Sequence, residues 1–155
     1  MSLGDDLLVT ARQLAKARPS KPRQADLRRA ISTAYYAAFH ALAHECGDRF
    51  VGTNKTSRST RAWAQAYRAL EHGFAKQQCR KAADKGFPDR IVQFADAFLS
   101  LQEERHRADY DPTATYTRAE TFISVQTAQQ AISDFRRSAK SDRAAFAVWV
   151  SMKAR

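Results

Sequence analysis

The sequence predicts an all-α protein, an antiparallel up-and-down bundle of about five helices, and three observations carry that expectation. Helix-favouring residues dominate: Ala, Arg, Gln and Leu are abundant, while only 5 glycines and 4 prolines interrupt 155 residues that are 44% hydrophobic. Apolar residues recur at three- and four-residue spacing over long windows, the period of a helix rather than the alternation of a strand. Start and stop signals fall where those windows begin and end. A chain of this length fits a single domain, residues 1–155, large enough to bury a core without disulfide staples.

The first helix is expected from Asp5 to Ala17, with Leu7, Leu8, Ala11, Leu14 and Ala15 on one face and the acids Asp5 and Asp6 at its positive end. Met1-Ser2-Leu3 carries no weight in this reading. Pro19 and Pro22 then make the basic stretch Arg18–Arg23 a stiff connector. The second helix runs from Gln24 to Cys46, with Gly47 as its C-terminal stop. Its stripe of Leu27, Ile31, Ala34, Tyr35, Ala38 and Leu42 is widened by Ala30, Ala37, Phe39 and Ala41. A helix apolar nearly all round belongs at the centre of a bundle, and its alanines would let other helices or a second subunit approach closely.

Asp48 to Thr60 is polar, basic and without period, a loop. A third helix is expected from Ser59 to Gln78 on Trp63, Ala66, Tyr67, Leu70 and Phe74, weakened at Gly73. After the basic stretch Arg80–Phe87, Pro88 suits the first position of a fourth helix that carries Ile91, Phe94, Ala95, Phe98, Leu99 and Leu101. That helix should end near Tyr110, because Asp111 precedes Pro112 and a residue before proline avoids helical geometry. Thr117 and Glu120 have capping-box spacing and start a helix through Phe122, Val125, Ala128, Ala131, Ile132 and Phe135. Ser141 is the expected cap of a final piece holding Phe146, Trp149 and Val150.

Several function classes are excluded. No window approaches the roughly 18 apolar residues of a membrane span, and the first segment is acidic where a signal peptide is basic, so a cytoplasmic protein is expected. Cys46 and Cys79 are too few for a disulfide framework and read as buried thiols in a reducing compartment. There is no glycine-rich phosphate loop, nucleophile elbow or Cys-x-x-Cys, and no cofactor is expected. His40 and His44 have a spacing that can hold zinc, but a third ligand is lacking and no metal is assigned. Against 16 acids stand 26 Lys+Arg, a formal charge of +10, and such an excess attracts polyanions; nucleic acid is the first partner to consider.

The densest cluster of functional side chains is Glu104-Arg105-His106-Arg107-Ala108-Asp109-Tyr110-Asp111. Arg105 and Asp109, four apart, share a face, yet such a pair contributes only about 0.2–0.5 kcal/mol to a helix. A carboxylate in the last turn opposes the helix dipole by about 0.3–1 kcal/mol, so Asp109 needs a further partner: Arg105, Arg107, a group from another helix, or a ligand.

The run Leu27-Arg-Arg-Ala-Ile-Ser-Thr-Ala-Tyr-Tyr-Ala-Ala-Phe-His-Ala41, with Arg105-His-Arg-Ala-Asp-Tyr-Asp111 downstream, resembles the HEPN domains (higher eukaryotes and prokaryotes nucleotide-binding). The resemblance extends from about Asp5 to Phe135. It implies an antiparallel helical bundle, a homodimer, a toxin–antitoxin or defence context, and often a nucleotidyltransferase-like protein as partner. Many members are metal-independent endoribonucleases with an Arg-x4-6-His motif. Arg105 would be the arginine here, but the position five residues on is Tyr110, and no histidine follows His106. A tyrosine hydroxyl with an ordinary pKa of about 10 is a poor base near neutrality, so robust catalysis is not expected, and a residual activity would fall to Arg105 with Tyr110 or His106. The residues that match the family's pattern are Ser32, Tyr35 and Tyr36 on the second helix and Arg105, Asp109 and Tyr110 on the fourth. Together with Arg107 they form either a cleft for phosphate or nucleotide, or a hydrogen-bonded clamp between two helices.

Overall fold

The computed structural model describes residues 1–154, and among them there are seven helices and no strands: α1 (Leu3–Lys16), α2 (Gln24–Val51), α3 (Thr60–Arg68), α4 (His72–Arg80), α5 (Asp89–Tyr110), α6 (Arg118–Arg136) and α7 (Lys140–Ser151). Among the described residues no helix is long and apolar enough to cross a membrane. The all-helical expectation holds; the count rises to seven because one expected helix is two, and the final piece is a helix in its own right.

Four helices form the frame. Gly4 lies against Ala37 and Ala41 while the other end of α1 leads directly into α2, so the two run antiparallel. Arg28 meets the carbonyls of Ala108 and Asp111, and Tyr35 packs on Phe98, which sets α5 antiparallel to α2. Arg136 reaches Asp5 at 2.7 Å and Arg118 reaches Ala17 at 3.1 Å, so α6 returns antiparallel to α1. The core spans this frame and α7, with Phe94, Phe98, Phe135 and Phe146 among its largest fully buried side chains.

α2 is buried on nearly every side, with Ala30, Ala34, Ala37, Ala38 and Ala43 fully covered. α1, α3, α5, α6 and α7 all pack on it. Its alanines therefore admit helices of the same chain, and the face that the sequence leaves open for a second subunit is occupied from within.

Three boundaries differ from expectation for identifiable reasons. α2 runs through Gly47 to Val51 and stops at Gly52, whose φ of 119° is a conformation that side chains disfavour. Gly47 serves packing instead: a Cβ there would lie 2.6 Å from the Trp63 ring, so the indole seats directly on the backbone. The helix expected over Ser59–Gln78 breaks at Ala69-Leu70-Glu71, where Leu70 turns into the core. The break lets Trp63 and Tyr67 face the second half of α2 while α4 packs on α5 and α7. α7 begins at Lys140 rather than under a Ser141 cap, at a corner where Arg143 donates to the Ser138 carbonyl at 3.2 Å.

Smaller signals read differently too. Ser2 caps α1, with its hydroxyl and Asp5 forming a reciprocal capping box, and Pro88 precedes α5 rather than opening it. The Thr117–Glu120 capping box is present, and α5 ends at Tyr110 as the proline rule requires. Cys46, on α2 beside α7, and Cys79, on α4, are free and buried; burial pushes both thiols up to about 12.

Candidate functional site

The residues singled out on α2 and α5 meet along the antiparallel seam between those helices. Ser32, 4% exposed, donates its hydroxyl proton to Asp109 at 3.2 Å. Arg105 lies 3.8 Å from the same carboxylate. Its guanidinium stands 5.1 Å from the Tyr35 ring centre and 5.7 Å from that of Tyr36, within cation–π range. Asp109 thus finds the partners that a carboxylate at a helix C-terminus needs. Arg105 Nε is buried without a hydrogen-bond partner.

Tyr110, His106 and Arg107 are not part of this partly buried contact. Tyr110 is 66% exposed, and its ring lies 5.0 Å from that of exposed His106. Arg107 is exposed and rests near the Tyr116 ring. A shallow groove of about 440 Å³ opens where the first turns of α2 meet the end of α5, lined by Ala25, Arg28, Arg29, Ala108, Asp109 and Tyr110. The cluster therefore divides into a covered half and an open half.

Arg28 shapes the open half. Its guanidinium donates to the carbonyls of Ala108 at 2.9 Å and Asp111 at 2.7 Å, at the helix end where carbonyls lack intrahelical partners, and to that of Ala114 in the connection to α6. Gln24 adds a paired contact with Tyr116, donating to its carbonyl at 2.8 Å and accepting from its N–H at 2.9 Å. The Asp111 carboxylate turns back onto Thr113, and those hydrogen bonds hold it below the usual carboxylate range. The first turns of α2 thus hold the end of α5 and the connection to α6. Free C-terminal carbonyls before Pro112 were a sequence signal for a donor, but nothing in the spacing pointed to Arg28.

His72 went unread altogether. It opens α4, and its Nδ1 is hydrogen-bonded to the Tyr35 hydroxyl at 2.6 Å. Its ring stacks on Phe39 at 3.9 Å and meets Tyr36 edge-on. Burial, then the positive charge of Arg105, then His40 lower its pKa from 6.5, so the imidazole is neutral at pH 7. His40 is hydrogen-bonded to Tyr67 of α3 and likewise lowered by burial. His44 turns instead to Asp48 at 3.3 Å, so the pair with zinc spacing serves two separate contacts.

These histidines predict an acid sensitivity. Tyr35, Tyr36, Tyr67 and Arg105 are the titratable groups facing them, and no carboxylate stands among these contacts to reward a proton. In the unfolded chain both take up a proton near 6.5, in the folded chain only at lower pH, so the stability of the neutral pair is lost as pH falls below 6.5. Melting temperature followed by circular dichroism from about pH 7.5 to 5 should fall, and less steeply in a His72→Gln variant. A midpoint that rose on acidification would contradict this assignment.

Many of the remaining cations are engaged internally. Arg143 and Arg49 flank Glu45, Arg58 pairs with Asp48, Arg136 with Asp5, and Arg118 donates to the carbonyls of Ala17, Arg18 and Pro19. These pairs engage arginines with acids that the net charge of +10 already counts, so the excess resides on the cations outside them. Comparison of the chain with protein-family models, with curated proteins and with solved structures finds no match in any of the three.

Proposed function

We propose that this chain is a HEPN-like helical module that binds RNA or a nucleotide, an accessory protein of a cytoplasmic toxin–antitoxin or defence system without robust catalysis of its own. One observation carries the reading: exposed Tyr110 beside the Arg28–Arg29 groove, with His106 and Arg107 next to it. An aromatic face beside cations offers stacking to a base and charge to its phosphate, and stacking contributes about 1–3 kcal/mol per base. The partly buried Ser32–Asp109–Arg105 contact then acts as the clamp that positions this end of α5. A homodimer and a nucleotidyltransferase-like partner belong to the same proposal; a dimer would pair through a face other than the alanines of α2. Filter-binding titrations with RNA and with nucleotides, at low and moderate salt, test the reading. Wild type should bind, Tyr110→Ala should weaken binding by about tenfold or more, and absence of binding by either ligand would discard it.

The second reading, a metal-independent endoribonuclease, is favoured by one observation, the His72 imidazole hydrogen-bonded to the Tyr35 hydroxyl at 2.6 Å, its pKa lowered by burial and by the Arg105 charge. An imidazole that is unprotonated near neutrality can act as a general base. Structured RNA incubated with wild type, Arg105→Ala and His72→Ala decides it: cleavage lost in both variants supports an enzyme, and equal turnover by all three points to a contaminant.

A further inference from the structure

Arg29 and Gly47 are eighteen residues apart on α2, five full turns, so they share one side of the helix about 27 Å apart. Arg29 lines the groove beside Tyr110. Gly47 is the seat of Trp63, and hence of α3. Between them on the same stripe lie Tyr36 and His40, both half-buried. The groove and α3 are therefore two ends of one face.

α3 is suited to present charge on that face. It packs chiefly on α2 and has no fully buried residue, with Trp63 and Tyr67 turned inward. Trp63 is fixed by its indole N–H, which donates to Asp48 at 2.9 Å, and by the Arg58 guanidinium 4.3 Å from its ring centre. Opposite them, Arg61, Gln65 and Arg68 are exposed at i, i+4 and i+7. Between them are only small exposed side chains, such as Ala62 and Ala64, which let a backbone come close. From residue 49 to 70 there is no acid. Arg29, Lys55, Arg61 and Arg68 form no ion pair or side-chain hydrogen bond among the described residues, unlike the arginines that hold the bundle together.

We infer that α3 with its preceding loop is a second phosphate-binding element, and that a single nucleic-acid strand runs from the Tyr110 groove along the α2 face to Arg61 and Arg68. This rests on the binding reading above and adds the ligand's form: a linear polyanion, not a mononucleotide. At the stacked rise of roughly 3.4 Å per nucleotide, the 27 Å from Arg29 to Gly47 alone corresponds to about eight nucleotides, the least a strand needs to reach the α3 end. The groove end supplies the exposed aromatic; the α3 end, with none on its outer face, supplies phosphate contacts without base preference.

Fluorescence-anisotropy titrations with single-stranded RNA of about three, eight and sixteen nucleotides test this. Affinity should rise steeply between three and eight, because only the longer strands reach both ends. The Arg61→Glu/Arg68→Glu variant should lose that gain, binding the longer strands about tenfold more weakly, with a salt slope of log affinity smaller by about 1.4 for two lost phosphate contacts. Both side chains are exposed, and unchanged Trp63 emission verifies that α3 stays seated. The inference is overturned if the variant keeps the length gain and slope, or if wild type binds three nucleotides as tightly as sixteen; the groove reading survives both results. If no strand binds, both fall, and retention on anionic phosphatidylserine vesicles in that case assigns the face to a membrane surface.

Discussion

Arg28→Met is expected to destabilise the protein by about 3 kcal/mol, a midpoint lowered by about 10 °C in a chain of this size. The substitution keeps a long unbranched side chain and removes a guanidinium that lies 6.0 Å from the Tyr116 ring centre and is bonded to three backbone carbonyls. Hydrogen bonds to a charged group are each worth about 1.5–3 kcal/mol, but three on one side chain are not additive, and water reaches this half-buried site to satisfy part of what is lost. Arg28→Lys should recover only part of the loss, since one ammonium cannot reproduce the planar fork. The effect extends to ligand binding: with the end of α5 no longer held, Tyr110 and Arg107 lose their fixed positions, and RNA affinity should fall even under conditions where the variant is folded. Thermal melts together with the binding titration check both halves, and an Arg28→Met protein with unaltered stability would show that the three carbonyls are satisfied otherwise.

Phe135→Ala is expected to cost more, about 4 kcal/mol, a large share of the roughly 5–15 kcal/mol by which domains are stable. Phe135 is 1% exposed and stacks on Phe94 at 4.4 Å, while Phe146 meets it edge-on. It therefore joins α6 to α5 and α7 at one point, and truncation leaves a void that three fixed helices cannot close. Phe135→Leu fills most of that volume and should cost far less. Urea denaturation should show a lower midpoint at unchanged slope. The contrast with Arg28 is diagnostic: Phe135 lies at the opposite end of α5 from the groove, so folded Phe135→Ala protein should bind RNA as wild type does.

What the sequence disclosed follows the range of the interactions. Features set within one helix were legible: the capping box at Thr117 and Glu120, the end of α5 before Pro112, and the all-round burial of α2 announced by its alanines. Gly47 misled because a glycine at a helix end and a glycine beneath a tryptophan look alike until Trp63 is placed. The break between α3 and α4 was hidden because Trp63, Tyr67, Leu70 and Phe74 keep helical spacing across it. At the site, Ser32, Tyr35, Tyr36, Arg105 and Asp109 do come together, whereas Tyr110, His106 and Arg107 face solvent. His72 and Arg28 escaped notice because their partners lie 37 and at least 80 residues away in the chain, and no periodicity reports a contact of that range.

The two covered cysteines give the molecule internal clocks. A thiol pushed up to about 12 and shielded from solvent reacts with an alkylating reagent only during moments when its surroundings part. Cys46 is shielded where α2 meets α7, its thiol 3.9 Å from the Ala147 carbonyl, and Cys79 sits on α4, so the two report different seams. Labelling rates at the two positions, one cysteine replaced at a time, translate into separate opening free energies for those seams. The chain thus carries its own readout of which part of the bundle breathes first, and of whether a bound strand slows that breathing.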